Sequence, residues 1–217
     1  MASSSSRQGA REPPPPDQLA ALYSLTDKFV SAGALSRHSR TAELAARAAL
    51  KAEALLGDDS LVVADLRMNE SEALNNMAAT ASGAEKDALF RRSLSGLLSV
   101  IALLQRRISA NTLLFGAVRK EEFDYCIHVQ AASFAANNEP VPPPADLASM
   151  GSSIGYVVLL DAMFRSLHFL FVSFRSSWPA AQRKVVESFV RALLSSFPTL
   201  LLTGVTTGHY LFRYFKP

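Results

Sequence analysis

The sequence predicts an all-α protein. Alanine and leucine, both strong helix formers, dominate a chain of 217 residues that is 49% apolar and 19% charged. Apolar residues recur at three- and four-residue intervals in blocks separated by capping residues, and no segment alternates as a half-buried strand does. About seven helices are expected, in antiparallel pairs resembling a fragment of an α-solenoid. The expected organisation is a disordered tail over 1–17, a helical-pair array over 18–137, a proline-rich loop over 138–146, and a C-terminal helical hairpin and tail over 147–217.

Residues 1–17 are rich in Ser, Arg and Pro and too poor in apolar side chains to fold. The first helix is expected over about 17–32, with Leu19, Leu22, Tyr23, Phe29 and Val30 near one face and Gly33 as its stop. A second is expected over about 41–56. Its stripe combines Leu44, Ala45, Ala48, Ala49, Ala52, Leu55 and Leu56, and Glu43 precedes Arg47 by one turn, a favourable ionic spacing. Gly57 suits the residue after that helix, because glycine reaches positive φ without a Cβ clash.

Asp58, Asp59 and Ser60 supply cap candidates for a third helix over about 61–81, with Val63, Leu66, Leu74, Met77 and Ala81 on one side. Ser82 and Glu85 have the spacing of a capping box, opening a fourth helix over about 84–109. Phe90, Leu94, Leu97, Leu98, Ile101, Leu104 and Ile108 give it the clearest helical period in this half. A fifth helix is expected over 119–137 with Phe123, Ile127, Ala131 and Phe134 facing inward. Asn138–Pro144 should be non-helical, since successive prolines lack amide donors and clash with the preceding turn. A sixth helix is expected over about 152–175. A seventh should start at Trp178–Pro179, with Val185, Val186, Phe189, Val190, Leu193 and Phe197 on one face and Pro198 as its stop.

Residues 20–110 resemble a degenerate tetratricopeptide unit. Leu74-Asn-Asn-Met77-Ala78 looks like the opening of such a repeat's first helix, and Gly83 followed by Ala88-Leu89 resembles its turn and second helix. Phe29, Gly33, Ala42, Ala46 and Ala49-Leu50 are similar to a second such unit with extra residues at the turn. The Ala42 to Ala88 spacing exceeds the family's period of about 34 residues. The whole chain is also similar to a group of dinoflagellate algal proteins to which no activity attaches, through DDSLVVADLRMNESEAL, SGAEKDALFRRS and LLSVIALLQRRI. The repeat resemblance implies a binding surface for a protein or peptide and implies no chemistry.

Catalytic patterns are sparse. Gly151-Ser-Ser153-Ile-Gly155 has the letters of a nucleophile elbow, which needs a strand running into a tight turn and then a helix. The preceding PPPADLASM is no strand, and since Asp161 lies only two turns along the same helix, the acid and histidine that should follow Ser153 come down to Glu187 and His209. A small-residue helix start, capped by Ser152 or Ser153 and packed closely at Gly155, is the preferred reading. His38, His128, His168 and His209 are scattered, with none at the one-turn spacing by which a helix holds a metal. Cys126 and His128 lie two apart and so point to different sides of a helix, which predicts a buried thiol and a partly exposed imidazole. No phosphate-binding glycine loop is present. Asn69-Glu-Ser71 is a glycosylation sequon by letter only, inside a helix. No catalytic, cofactor-binding or metal-binding residue is therefore assigned, and no enzyme is expected.

Charge is small overall, +3, but uneven. From Met150 onward seven bases (Arg165, Arg175, Arg183, Lys184, Arg191, Arg213, Lys216) stand against Asp161 and Glu187. With no dense cluster this reads as a solvated basic face, and no nucleic-acid partner is expected. The single Cys126 excludes an internal disulfide and points to reducing, intracellular surroundings, with a cytoplasmic location expected. The Ser/Arg-rich N-terminus has the bias of an organelle transit peptide, but its prolines favour a plain tail. Ile154–Phe174 carries Asp161 and Arg165 one turn apart and able to pair, which suits a core helix better than a bilayer. Ala192–Phe212 lacks Asp, Glu, Lys and Arg and is long enough to span a membrane, yet Pro198, two glycines, four threonines and His209 weaken it. The leading expectation is a non-catalytic helical-repeat-like interaction or scaffold module, with its binding surface on the helix pairs 18–56 and 61–109. A membrane-peripheral or tail-anchored protein using the basic, aromatic C-terminus is the alternative.

Overall fold

The computed structural model describes residues 14–107, 118–152, 154, 158–159, 161–162, 165–168 and 180–195. Among them the chain is helical, with no strand. Seven helices have defined bounds: α1 Pro16–Ala34, α2 His38–Leu56, α3 Leu61–Thr80, α4 Gly83–Arg107, α5 Lys120–Ala136, α6 Pro144–Ser152 and α7 Ala180–Ser195. The positions described between 154 and 168 are helical as well. The expected tail before Pro14 and the stretch beyond Ser195 lie outside the described residues.

Neighbouring helices of the first four pack antiparallel, α1 on α2, α2 on α3 and α3 on α4. α5 then returns to lie on α1, with a lighter contact to α3, while α6 packs on α5 and α7 touches α4. Most of the core is one cluster drawn from α1 to α5, the 154–162 positions and α7. A smaller cluster of Ala42, Ala73, Leu74, Ala78 and Leu89 closes the opposite end of α2, α3 and α4. α3 is the central element, burying Leu61, Val62, Val63, Ala64, Leu66, Met68, Ser71, Ala73, Leu74 and Ala78. These residues cover more than one face, so the single stripe expected from periodicity understates how α3 is enclosed.

Local chemistry explains most boundaries. Gly57 takes φ 95° at the end of α2, where its amide bonds to the Glu53 carbonyl at 3.0 Å. Ser60 Oγ accepts from the Val62 amide at 3.2 Å, capping α3 as expected. The α3–α4 crossing is close because small residues meet there. Ser71 Oγ donates to the Ser93 carbonyl at 2.8 Å, Ser93 Oγ donates back to the Ser71 carbonyl at 2.7 Å, and Gly96 faces Ser71. Glu43 lies 3.6 Å from Arg47 and 2.6 Å from Arg40.

Several expectations need correction. α1 begins at Pro16, inside the expected tail, because proline's fixed φ suits a first helical position. It does not stop at Gly33; the residue at positive φ is Ser36, at 53°, and the Arg37 amide reaches back to the Ala32 carbonyl at 2.9 Å. The Ser82 carbonyl accepts from the Lys86 amide at 3.4 Å at the start of α4, where Gly83 takes φ 55°, but no side-chain hydrogen bond joins Ser82 and Glu85 among the described residues. α6 opens on Pro144, inside the loop expected over 138–146, and occupies residues before the sixth helix expected from about 152. The inward face of α5 is also rotated. Glu122, Tyr125 and Cys126 are its buried residues, whereas Phe123 and Ile127 are partly buried and meet α6 at Gly151. The rotation follows from α5 being covered on two sides, by α1 and by α6.

Candidate interaction face

α5 is laid over the α1–α4 array by three groups of side chains. At its N-terminal end Glu122, fully buried, is the hub. Its Oε1 accepts from Arg107 Nη1 at 3.0 Å and from the Leu61 amide at 2.9 Å. Its Oε2 accepts from Arg107 Nη2 at 3.1 Å and from the Arg119 amide at 3.0 Å. One carboxylate thus serves the first turns of α3 and α5, where free amides concentrate, and forms a bidentate pair with the last residue of α4. Arg107 Nη1 also donates to the Asp59 carbonyl at 3.1 Å. Arg119 donates to the Leu56 carbonyl at 2.8 Å and pairs with the Asp59 carboxylate. Burial alone would raise the Asp59 pKa, but hydrogen bonding and charge from Arg119, with Arg107 behind it, hold it below its ordinary value.

Midway along α5, Tyr125 is 1% exposed and shares a hydrogen bond with Thr26 of α1 at 3.2 Å. Thr26 in turn donates to its own helix at the Leu22 carbonyl, 3.1 Å. Tyr23 tilts against Tyr125 with ring centroids 6.3 Å apart. One turn on, His128 stacks on Tyr23 at 4.4 Å, and its Nε2 meets Asp27 Oδ1 at 2.8 Å. Cys126 is buried and His128 partly exposed, as their spacing implied.

A third group lies where α3, α5 and the positions described between 154 and 168 share the main core. Asp65 of α3 acts electrostatically with Asp161, Tyr125 and Cys126. Burial, then the Asp161 charge, pushes the Asp65 carboxyl up to about 7. Burial and the nearby Asp65 push the Cys126 thiol up to about 12, so the thiolate that a nucleophile or metal ligand needs is scarce at neutral pH. Tyr125 is raised well above its usual value for the same two reasons. Asp161 is raised by burial and by Glu72, against the opposing pull of Arg165. Arg165 bridges the two, with Nε 3.2 Å from Asp161 and Nη2 2.6 Å from Glu72.

The residues before the elbow-like letters form the helix α6 and not the strand an elbow needs, and Ser153 and Gly155 lie outside the described residues. Gly151 is in α6, and a Cβ there would lie 2.9 Å from Phe123, so this glycine serves close helix packing. Asp161 is engaged by Arg165, Glu187 is exposed on α7, and the Ser153 side chain and His209 lie outside the described residues. His38 and His168 are on different helices from His128, and no three His, Cys, Asp or Glu gather to hold a metal among the described residues. Asn69 Nδ2 is tied to the Asp65 carbonyl at 2.9 Å within α3. Lys184 and Arg191 are exposed on α7, Arg165 and Arg183 are partly buried, and Arg175, Arg213 and Lys216 lie outside the described residues. Among the described residues no helix is long and apolar enough to cross a membrane.

Glu122, Arg107, Arg119 and Asp65 were not singled out by sequence reasoning. Glu122 carried one usable signal, an acid at the third helical position, where a side chain can return to the cap amide. Asp65 carried another, a lone acid within the apolar run Leu61-Val-Val-Ala-Asp-Leu66. No protein-family model matches this chain, and no curated protein or solved structure matches it either.

Proposed function

We propose that the protein is a non-catalytic, helical-repeat-like interaction module whose α1–α4 array accepts a helix across α1 and α3. The observation that carries this reading is the seating of α5. A helix distant in sequence lies on that face, anchored by an aromatic residue, Tyr125, and by polar contacts at Asp27, Thr26 and Leu61. Helix-in-groove recognition uses the same elements, a buried aromatic anchor flanked by oriented polar contacts. The array thus holds its own helix, and a partner would present a comparable one or take the faces that α5 leaves open. The buried Cys126 thiol, pushed up to about 12 by burial and by the nearby Asp65, fits a binding role better than a chemical one.

Affinity capture with the full-length chain and with Tyr125→Ala tests this, both baits first checked for native helicity. The expected result is a reproducible protein partner, captured more efficiently by Tyr125→Ala and competed by a synthetic peptide of residues 119–137. Absence of any reproducible partner, or a partner indifferent to both the substitution and the peptide, would sink the idea.

A further inference from the structure

A cleft of about 340 Å³ lies between the C-terminal half of α1 and the first turns of α2. Buried Ala32 and Leu44 form its floor, and Leu35, 60% exposed, stands in its wall. The turn that carries Leu35 is held by its own backbone. The amides of Leu35, Ser36 and Arg37 donate to the carbonyls of Ser31, Gly33 and Ala32 at 3.3, 2.8 and 2.9 Å. An ordered turn thus presents Leu35 and Arg37 to solvent, so a ligand meeting them has little ordering entropy to overcome.

The rim is charged. Lys28 of α1 and Arg37 and Arg40 at the start of α2 line it, against Asp27. Asp27 Oδ1 is turned to His128 Nε2 of α5 at 2.8 Å, and Arg40 is paired with Glu43 at 2.6 Å. Lys28 and Arg37 form no ion pair among the described residues. The cleft therefore sets two uncommitted cations beside an apolar floor, a combination that selects an anionic group joined to an apolar one.

Its shape chooses among such ligands. Lys28, Ser31, Leu35 and Arg37 are all exposed, so a free small molecule would leave much of its surface in water, whereas small-molecule sites enclose most of theirs. No aromatic side chain lines the cleft, so nucleic-acid bases have no platform to stack on. One bulky apolar side chain of a larger partner fits the space, with its chain neighbours at the rim.

We propose that this cleft receives a leucine- or phenylalanine-sized side chain from an acidic protein segment, whose flanking carboxylates pair with Lys28 and Arg37. This rests on the reading of the array as an interaction module, and it gives one partner's chemistry at a face that α5 leaves open.

Amide NMR spectra of the full-length chain, titrated with the peptide acetyl-Glu-Asp-Glu-Leu-Asp-Glu-amide and with its Phe-for-Leu counterpart, test it. At least one peptide should give saturable shifts centred on 27–44, and placing Ala at the central position should weaken binding by about tenfold or more. Lys28→Gln with Arg37→Gln should weaken it by about fivefold to tenfold, and added salt should do the same to the wild type. Both positions are exposed, and native helicity of the double variant is checked first. If that variant fails to fold, the Ala peptide and the salt series on the wild-type chain decide. No saturable shifts with either peptide, shifts centred elsewhere, or an affinity indifferent to the central side chain or to the two cations would each overturn the proposal. Inorganic phosphate shifting the same amides as strongly would reveal a plain anion site and overturn it too. A peptide of residues 119–137 should not displace the acidic peptide; displacement would put the binding in the α5 seat and overturn the proposal. Failure here leaves partner capture at that seat standing, since capture turns on Tyr125 and this binding on Lys28, Leu35 and Arg37.

Discussion

Glu122 ties three helices together through one side chain. It is fully buried, and four hydrogen bonds converge on it from α3, α4 and its own helix. Its partner Arg107 is nearly as covered, with 8% of its side chain exposed. Removing the charge while keeping the shape leaves that guanidinium buried without a counter-ion. Glu122→Gln should therefore lower unfolding stability by about 3 kcal/mol, measured by urea denaturation, and the double change Glu122→Gln with Arg107→Met should recover part of the loss. Exposed pairs such as Arg40 with Glu43 should cost far less when broken, since solvent screens them. Neither the hub nor Asp65 was legible as such in the sequence. An acid near a helix start suits the helix dipole without any tertiary partner, so only the arrival of Arg107 and Leu61 distinguishes Glu122 from Glu121.

Helices and their caps were the most legible part, and glycines separate the elements that were read well from those that were not. α4 was placed to within a residue at its start because its apolar period is long and regular, and its interior Gly96 is compatible with it. A Cβ at Gly96 would make ordinary contacts, 3.5 Å from Ser71 Cβ and 3.6 Å from the Arg67 carbonyl. Gly96→Ala should then stabilise the protein by about 0.5–1 kcal/mol through helix propensity. Gly151 is the opposite case. Its Cβ would press on the Phe123 ring at 2.9 Å and on Ile127 at 3.2 Å, so Gly151→Ala should destabilise by about 1–2 kcal/mol. Thermal unfolding of the two variants side by side checks both signs. The start of α6 is hidden in the sequence because proline runs usually mark loops, whereas Pro144 sits at a helix start, where its absent amide costs nothing. The face of α5 was misjudged because its period offers two apolar stripes, and only the packing of α6 shows which of them it covers.

At the scale of the whole molecule, two carboxyls bend the stability profile in opposite directions. Asp59 is held below its ordinary value, so its contribution is present above the carboxylate range and is lost as pH falls through its lowered pKa. Asp65 is held up at about 7, so its contribution is full in acid and declines as pH rises from the ordinary range to about 7. The melting temperature should therefore peak in mildly acidic solution and decline towards pH 8. Asp65→Asn should raise it more at pH 8 than at pH 5, as differential scanning calorimetry at the two values would show. The all-α architecture was legible from composition and period alone. The closure of the array by α5 was not, since it joins Tyr125 to Thr26 and Glu122 to Leu61 across long stretches of chain. No local pattern encodes such a meeting.

That return of α5 has a consequence for how the chain is made. α1 to α4 each pack on the helix just synthesised, so they can pair as they leave the ribosome. The face across α1 and α3, with Tyr23 and Leu22, stays uncovered until Tyr125 emerges, and the α3 face until Ile154 to Ala162 follow. At about 5–20 residues per second that exposure lasts several seconds in each nascent chain. During that interval the newborn array is an apolar trough awaiting its own helix, and whatever shields it then governs how much of the protein is made without aggregating.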